Sequence, residues 1–271
     1  MSEILHTGVY ARLPEALRLA HRPSEWAAGQ PRVGAIHSLL EGPCLTVDGR
    51  FFCVDVAHGR IFELVDREFR VAVEYDGQPN GLKAHRDGRI FVADHKNGLM
   101  VFDPGDGSVS TLLSEFEGES FLGLNDLTFA DNGDLYFTDQ GLSGLHDPCG
   151  SVFRWTADGM LHRLLGRIPS PNGLVLNDEQ TELYLGVTRD NAIWRLPLTS
   201  EGSTSKVGRF IQLSGGTGPD GLAIDSAGNI FVAHVGLGCV WVFSPRGEAL
   251  SRINSCDPRR RRQYWSYRTP R

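Results

Sequence analysis

Five apolar, β-branched runs recur along the chain, at residues 51–54, 90–93, 135–138, 183–186 and 230–233. Turn dipeptides precede four of them: Asp48-Gly49, Asp87-Gly88, Asn132-Gly133 and Ala227-Gly228. Gly and Asn supply the positive φ that tight hairpins need, so each pair marks a turn between strands. A third short apolar run follows in each case, at 61–64, 99–102, 152–155, 193–196 and 240–243. The alternation is near two residues and not 3.6, which predicts strands and argues against a helical solenoid.

A strand also precedes each turn, and it opens with an oxygen-bearing side chain. The openers are Glu41, Asn80, Asn125, Asn172 and Asp220, spaced 39, 45, 47 and 48 residues apart. Repeats of this period mean a solenoid, propeller or array. Fourteen residues after four of the openers come Asp55, Asp94, Asp139 and His234, and in the fourth repeat Val187 fills the place. A unit of three or four antiparallel strands cannot bury both faces alone, but radial repetition lets each sheet cover the next. Dividing 271 residues by about 45 gives roughly six units. The expected fold is therefore all-β, a six-bladed β-propeller of four-stranded antiparallel blades.

The ends of the chain qualify this. Pro14, Pro23 and Pro31 rule out a long uninterrupted helix before the first repeat, and Trp26 is read there as a packing anchor. A sixth opener is due near residue 265, yet Arg259 to Arg262 form a basic run followed by Gln263-Tyr264-Trp265. No opener, Asp-Gly turn or alternating strand occurs in that stretch. The sixth blade is expected to be incomplete and to lack an inner strand, with residues 1–40 donating strands to it. Residues 1–257 read as one propeller domain, and 258–271 as a basic tail outside the pattern, as if truncated or read in another frame. A loosely packed tail and low stability are expected from this.

Composition narrows the setting. Net charge is −6, which argues against binding nucleic acid through a generic basic surface. No apolar run approaches the roughly 20 residues of a membrane-spanning helix, and charges interrupt the first 20 residues as they would not in a signal peptide. The five cysteines, Cys44, Cys53, Cys149, Cys239 and Cys256, are odd in number and lack metal-ligand spacing. They read as reduced thiols of a cytoplasmic protein, although Cys44 and Cys53 lie on neighbouring strands of one hairpin. Nothing in the sequence implies a membrane or protein partner.

The candidate chemistry follows from the register. All openers fall at the same end of their strands, so in a propeller they converge on one mouth of the axis. The residues fourteen later return to that face. Carboxylates and amide oxygens gathered there would repel or stay unsatisfied without a cation. An all-oxygen set favours Ca²⁺, with Mg²⁺, Mn²⁺ or Zn²⁺ as alternatives. The competing reading makes Asn and Asp turn residues at strand starts. A Ser-His-Asp mechanism has little support, because no GxSxG nucleophile elbow occurs.

Leu40-Glu41-Gly42-Pro43, Leu124-Asn125-Asp126, Pro171-Asn172-Gly173 and Pro219-Asp220-Gly221 together resemble the motifs of the SMP-30/gluconolactonase/regucalcin family. The resemblance covers about residues 5–256. It implies a six-bladed propeller with one divalent metal on its axis and hydrolysis of lactones. Related diisopropyl-fluorophosphatases use a similar site on phosphotriester-type substrates. Carried over, the metal ligands are Glu41, Asn172 and Asp220, with Asn125 a fourth ligand or substrate contact. Asp220 doubles as general acid/base, and the metal acts as Lewis acid on the lactone carbonyl. Direct attack by Asp220 is a rival route. One departure is Gly123, where regucalcin-type members carry an Arg. Lys83, His95, Thr188 and His234 are candidate substrate contacts in its place, each with an alternative reading as a rim residue. Organophosphate or aryl-ester hydrolysis, and a non-catalytic calcium-binding scaffold, are the other functional readings. Residues 141–147 are expected to form a loop reaching over the site.

Overall fold

The computed structural model describes residues 3–30 and 34–256. Within these the repeats fold as the spacing predicts. Blade 1 comprises Leu40–Leu45, Phe51–Asp55, Arg60–Val65 and Glu68–Glu74, and blade 2 comprises Pro79–Ala84, Ile90–Asp94, Gly98–Phe102 and Val109–Leu113. Blade 3 comprises Leu124–Phe129, Leu135–Asp139, Gly150–Trp155 and Leu161–Ile168. Blade 4 comprises Pro171–Leu176, Glu182–Val187, Ala192–Pro197 and Gly208–Gln212, and blade 5 comprises Gly218–Ile224, Ile230–Val235, Cys239–Phe243 and Ala249–Asn254. Each is a meander with its strands in chain order, the blade of a β-propeller.

The sixth blade is a correction. Among the described residues there are five four-stranded blades, and the strands outside them are the short ribbon Glu115–Phe116 with Glu119–Ser120 and the strand Glu3–His6. The N-terminal segment does donate a strand, but to a different place. Glu3–His6 runs parallel to Ala249–Asn254 and extends the fifth sheet at its outer edge. Among the described residues between it and blade 1 lie a 3₁₀ turn, Glu15–Leu17, and a one-turn helix, Glu25–Gly29, in keeping with the prolines. The expected loose tail, residues 258–271, lies outside the described residues. No helix among the described residues is long and apolar enough to cross a membrane.

The chain divides into two compact units, one carrying blades 1 and 2 and the other blades 3 to 5 with the N-terminal strand. In each, the core lies between consecutive blades. In the first, Phe52, Val54 and Ile61 pack against Leu82, Ile90, Val92 and Phe102, and the Phe52 and Phe102 rings meet edge to face at 6.1 Å. Trp26 packs against this core, as an anchor should. In the second, Leu174, Leu183 and Leu185 meet Val152 and Ile168. Tyr184 and Ile193 meet Ile230, Val232 and Phe243. The alternating sequence delivers these side chains, and each fully buried Phe, Leu or Ile contributes about 1.5–3 kcal/mol.

Two of the acids fourteen residues past the openers, Asp55 and Asp94, have a structural job. Asp55 is fully buried and accepts from the Leu39 backbone N–H at 2.8 Å. It also pairs with Arg60, which is 2% exposed and donates through Nε at 3.1 Å. Asp94 accepts from Tyr75 Oη at 2.8 Å and from the backbone N–H groups of Gln78, Lys96 and Asn97 at 2.9, 2.8 and 2.8 Å. Each carboxylate thus ties the end of a second strand to the segment leading into the first. All five cysteines are free thiols, and Cys44 pairs across the ladder with Phe52, not Cys53.

Replacing Asp55 by Ala leaves the Arg60 charge buried and uncompensated, a change that costs about 3–5 kcal/mol. Urea denaturation of D55A should show a loss of that size, and an unchanged midpoint would show that Asp55 does not brace blade 1.

Candidate metal and hydrolytic site

Four of the five openers sit at an interruption of their ladders. The register slips between Glu41 and Cys44, between Pro79 and Gly81, between Pro171 and Leu174, and between Pro219 and Leu222. A β-bulge leaves a residue out of the pairing and re-aims its side chain, which is why bulges gather at functional sites. The Gly after the opener serves the next strand. A Cβ on Gly42, whose φ is +55°, would lie 2.2 Å from the Asn80 carbonyl oxygen. One on Gly173 would lie 2.5 Å from the Leu222 amide nitrogen and 2.6 Å from the Asp220 carbonyl oxygen. Opener-Gly is therefore one device: a bulge that frees a polar side chain, and a bare Cα that lets the neighbouring first strand approach.

In blades 4 and 5 this device brings two openers together. Asn172, buried, donates a side-chain hydrogen bond to the Asp220 carboxylate. Burial pushes the Asp220 carboxyl above the ordinary carboxylate range, and the Asn172 hydrogen bond opposes that rise. Asn125, also buried, donates from Nδ2 to Gln140 Oε1 at 3.3 Å, which leaves its carbonyl oxygen as the group for a cation or substrate. Thr188 donates its hydroxyl to the Pro219 carbonyl at 2.7 Å and so fixes the backbone just before Asp220. Gln140 was not singled out from sequence. The signal available was its register, one residue past the fourteenth position of repeat three.

His234 is 2% exposed, and the fold uses both of its nitrogens. Trp241 Nε1 donates to Nδ1 at 3.1 Å, so Nε2 carries the proton and donates to the Gly215 carbonyl at 3.1 Å. Burial lowers its pKa and keeps it neutral. Like Asp55 and Asp94, it braces its blade.

In blades 1 and 2, Glu41 holds the second place of Leu40–Leu45, equivalent to Asn125 and Asn172 in their strands. Lys83 lies opposite Phe91 in the ladder and near Cys44, whose thiol burial pushes up. His95 follows Asp94 and its N–H donates to the Gln78 carbonyl at 2.9 Å. Its ring covers Gly123, where a Cβ would fall 2.2 Å from the imidazole. The absent Arg at that position thus has a physical counterpart, since His95 fills the space a longer side chain would enter. Burial lowers the His95 pKa, against the charge of Asp94. The loop after blade 3's second strand is pinned at Ser143, whose hydroxyl donates to the Gln140 carbonyl at 2.6 Å and accepts from the Ser170 N–H at 2.9 Å. It therefore borders the start of the Asn172 strand.

The donors suit a hard cation. Among the described residues no three His, Cys, Asp or Glu side chains come together as a metal-binding group. Asp220 brings a carboxylate, and Asn172 and Asn125 carry amide oxygens, the ligand types of Ca²⁺ and Mg²⁺. A cation would relieve the cost of ionising a buried carboxyl.

Four-stranded antiparallel blades, with polar residues at bulged strand starts, define a β-propeller protein as the class. Residues 39–259 match the SMP-30/Gluconolactonase/LRE-like region, and the chain belongs to that family. It is 35% identical over 195 residues to a gluconolactonase of Zymomonas mobilis, covering 65% of this chain and 54% of that protein. It is 30% identical over 230 residues to lactonase drp35 of Staphylococcus aureus, covering 79% and 69% respectively. The chain thus spans about half the length of the first relative and about two thirds of the second. Among solved structures it resembles regucalcin of Agrobacterium tumefaciens, a calcium-binding protein, with a TM-score of 0.72 at 23% identity. That match covers 94% of this chain and 80% of the other and concerns the fold.

Gly173→Ala would press a methyl group into backbone that cannot yield cheaply, and overpacking of this kind costs about 1–3 kcal/mol. Thermal denaturation of G173A should show destabilisation, whereas Gly49→Ala, with nothing within 4 Å, should show only the strain of its positive φ. Equal losses in the two would refute the close approach of the Asn172 and Asp220 strands.

Proposed function

We propose that the protein is a metal-dependent lactone hydrolase, with Asp220 as general base and Asn172, Asn125 and Glu41 completing the site. Family membership supports the reaction class. The observation that carries the residue assignment is the Asn172–Asp220 hydrogen bond at paired bulges. Glu41 joins the set on its equivalent position and the family motif.

A bound divalent cation, Ca²⁺ on the donor chemistry, supplies Lewis acidity toward the lactone carbonyl. Asp220 takes a proton from the attacking water as the new C–O bond forms. It returns that proton to the ring oxygen as the ester C–O bond breaks, giving a hydroxy acid. Asn172 holds the carboxylate in one orientation through its N–H, and Thr188 fixes the peptide leading into it. Asn125, steadied by Gln140, presents its carbonyl oxygen. Lys83 and His95 are further substrate contacts in this reading. A small-molecule substrate is the only partner the reading requires.

The test is a hydrolysis screen of lactones, aryl esters and phosphotriesters with and without chelator. Lactone turnover lost in chelator and restored by Ca²⁺ is expected. Phosphotriester turnover alone would move the substrate class, and calcium binding without turnover would leave a scaffold.

Two variants separate the roles. Asp220→Asn keeps an oxygen donor but cannot act as a base, and loss of positioned acid–base catalysis costs about 10²–10⁴-fold in rate. Near-normal turnover in D220N would refute the assignment. Glu41→Gln removes one charge and should weaken Ca²⁺ in calorimetric titration while the fold survives; wild-type protein that binds no Ca²⁺ would sink the metal site itself.

A further inference from the structure

The loop after the second strand of blade 3 carries two leucines, Leu142 and Leu145, that are 65% and 70% exposed. Single apolar side chains on a surface are ordinary, so position matters here more than exposure. In the unit of blades 3 to 5, the other large apolar side chains in water lie elsewhere. Ile4, Leu5 and Leu250 are on the outer strands of the fifth sheet, and Met160 is in a turn at the far end of blade 3. Leu142 and Leu145 stand together at the end where the openers lie.

This loop is not slack chain. The Ser143 N–H and hydroxyl both donate to the Gln140 carbonyl, at 3.3 and 2.6 Å, and the hydroxyl accepts from the Ser170 N–H at 2.9 Å. Gly144 and Asp147 exchange backbone hydrogen bonds at 3.0 and 3.1 Å, which closes a tight turn with Leu145 and His146 at its tip. The anchors reach the site itself. Gln140 accepts the Asn125 amide through Oε1, and Ser170 stands two residues before Asn172. Both leucines are therefore held in water by a loop tied to two openers. Folding leaves their apolar surface unburied, so the gain from covering it is open to a ligand.

The rest of the border says what kind of ligand. A sugar-like ring needs side chains free to exchange hydrogen bonds with its hydroxyls, and the neutral ones here are engaged. Gln140 Oε1 is taken by Asn125, the Ser143 hydroxyl by Gln140 and Ser170, and the Thr188 hydroxyl by the Pro219 carbonyl. Arg189 flanks the loop with its stem, its Cγ 3.9 Å from where a Cβ on Gly144 would lie, and such a stem is itself apolar surface.

Resting on the lactone-hydrolysing reading of the site, we propose that residues 140–147 seat an apolar ring substituent, so that the preferred substrates are lactones bearing an alkyl chain of several carbons. The full chain with Ca²⁺ is assayed on δ-valerolactone, δ-octanolactone and δ-decanolactone, which share one ring and differ in chain length. Glucono-δ-lactone and the anionic glucaro-1,4-lactone serve as comparators. kcat/KM should rise about two- to fourfold per methylene, mainly through KM, and δ-decanolactone should exceed both sugar lactones. In L142S/L145S, folded by circular dichroism, the ratio of kcat/KM for δ-decanolactone over δ-valerolactone should fall about tenfold. L142M/L145M keeps the apolar surface and should retain most of that ratio.

Binding is measured apart from turnover, by calorimetry with 6-pentylpiperidin-2-one and piperidin-2-one, lactams that present the same carbonyl but resist hydrolysis. The pentyl compound should bind about tenfold more tightly and lose that margin in L142S/L145S. Lactams that show this margin while no lactone is turned over would sink the hydrolase reading and leave the apolar seat standing. Lactone turnover without chain-length dependence, a dependence unchanged in L142S/L145S, or a preference for either sugar lactone would overturn the seat and leave the hydrolase reading intact. Equal binding of the two lactams would overturn the seat whatever the turnover.

Discussion

Successive first strands in this protein approach more closely than side chains allow. The Gly42 Cα faces the Asn80 carbonyl, and the Gly173 Cα faces the Asp220 carbonyl, each at a distance that excludes a Cβ. Within a unit this constraint sets how neighbouring blades meet, and hence which side chains interdigitate as the core between them. It also explains the bulges. A strand that yields a hydrogen-bonded pair at its start frees the preceding polar residue from the ladder, so packing and chemistry are solved by the same two residues.

The polar side chains of the repeat divide into two sets with different work. The openers stand beside the ladder, and in blades 4 and 5 they bond to one another. Three of the residues fourteen later, Asp55, Asp94 and His234, are spent on the fold. Asp55 and Asp94 gather backbone N–H groups that would otherwise be buried unpaired, and His234 spans a Trp indole and a carbonyl. Acids that share a face by register are therefore not one reservoir of ligands. What distinguishes them is whether backbone donors surround the carboxylate, since such donors hold it in place without a cation.

Propeller blades carry many unrelated chemistries, so the fold alone assigns none. What gives this chain its reading is the conjunction of family membership with one carboxyl whose ionisation burial opposes, set against amide oxygens. His95 over Gly123 adds a local character of its own, because the imidazole takes up space beside the segment leading to Asn125.

Much of this could be read from the chain by itself. Strand positions followed from two-residue alternation and Gly turns, and the runs at 51–54, 90–93 and 230–233 fall inside observed strands. The openers were visible because a period near 45 residues repeats their surroundings, and a repeat exposes what single motifs hide. The number of blades was not fixed in this way. Dividing length by period assumes that every residue outside the repeats builds another, whereas Glu3–His6 finds a free edge on the fifth sheet and pairs there in parallel. Edge pairing depends on which hydrogen-bonding groups are left open once the blades have formed, and that is a tertiary property. The same holds for Gln140 beside Asn125 and Thr188 beneath Asp220. Sequence determines which residues carry polar atoms at regular intervals; only the folded backbone decides which of those atoms find partners.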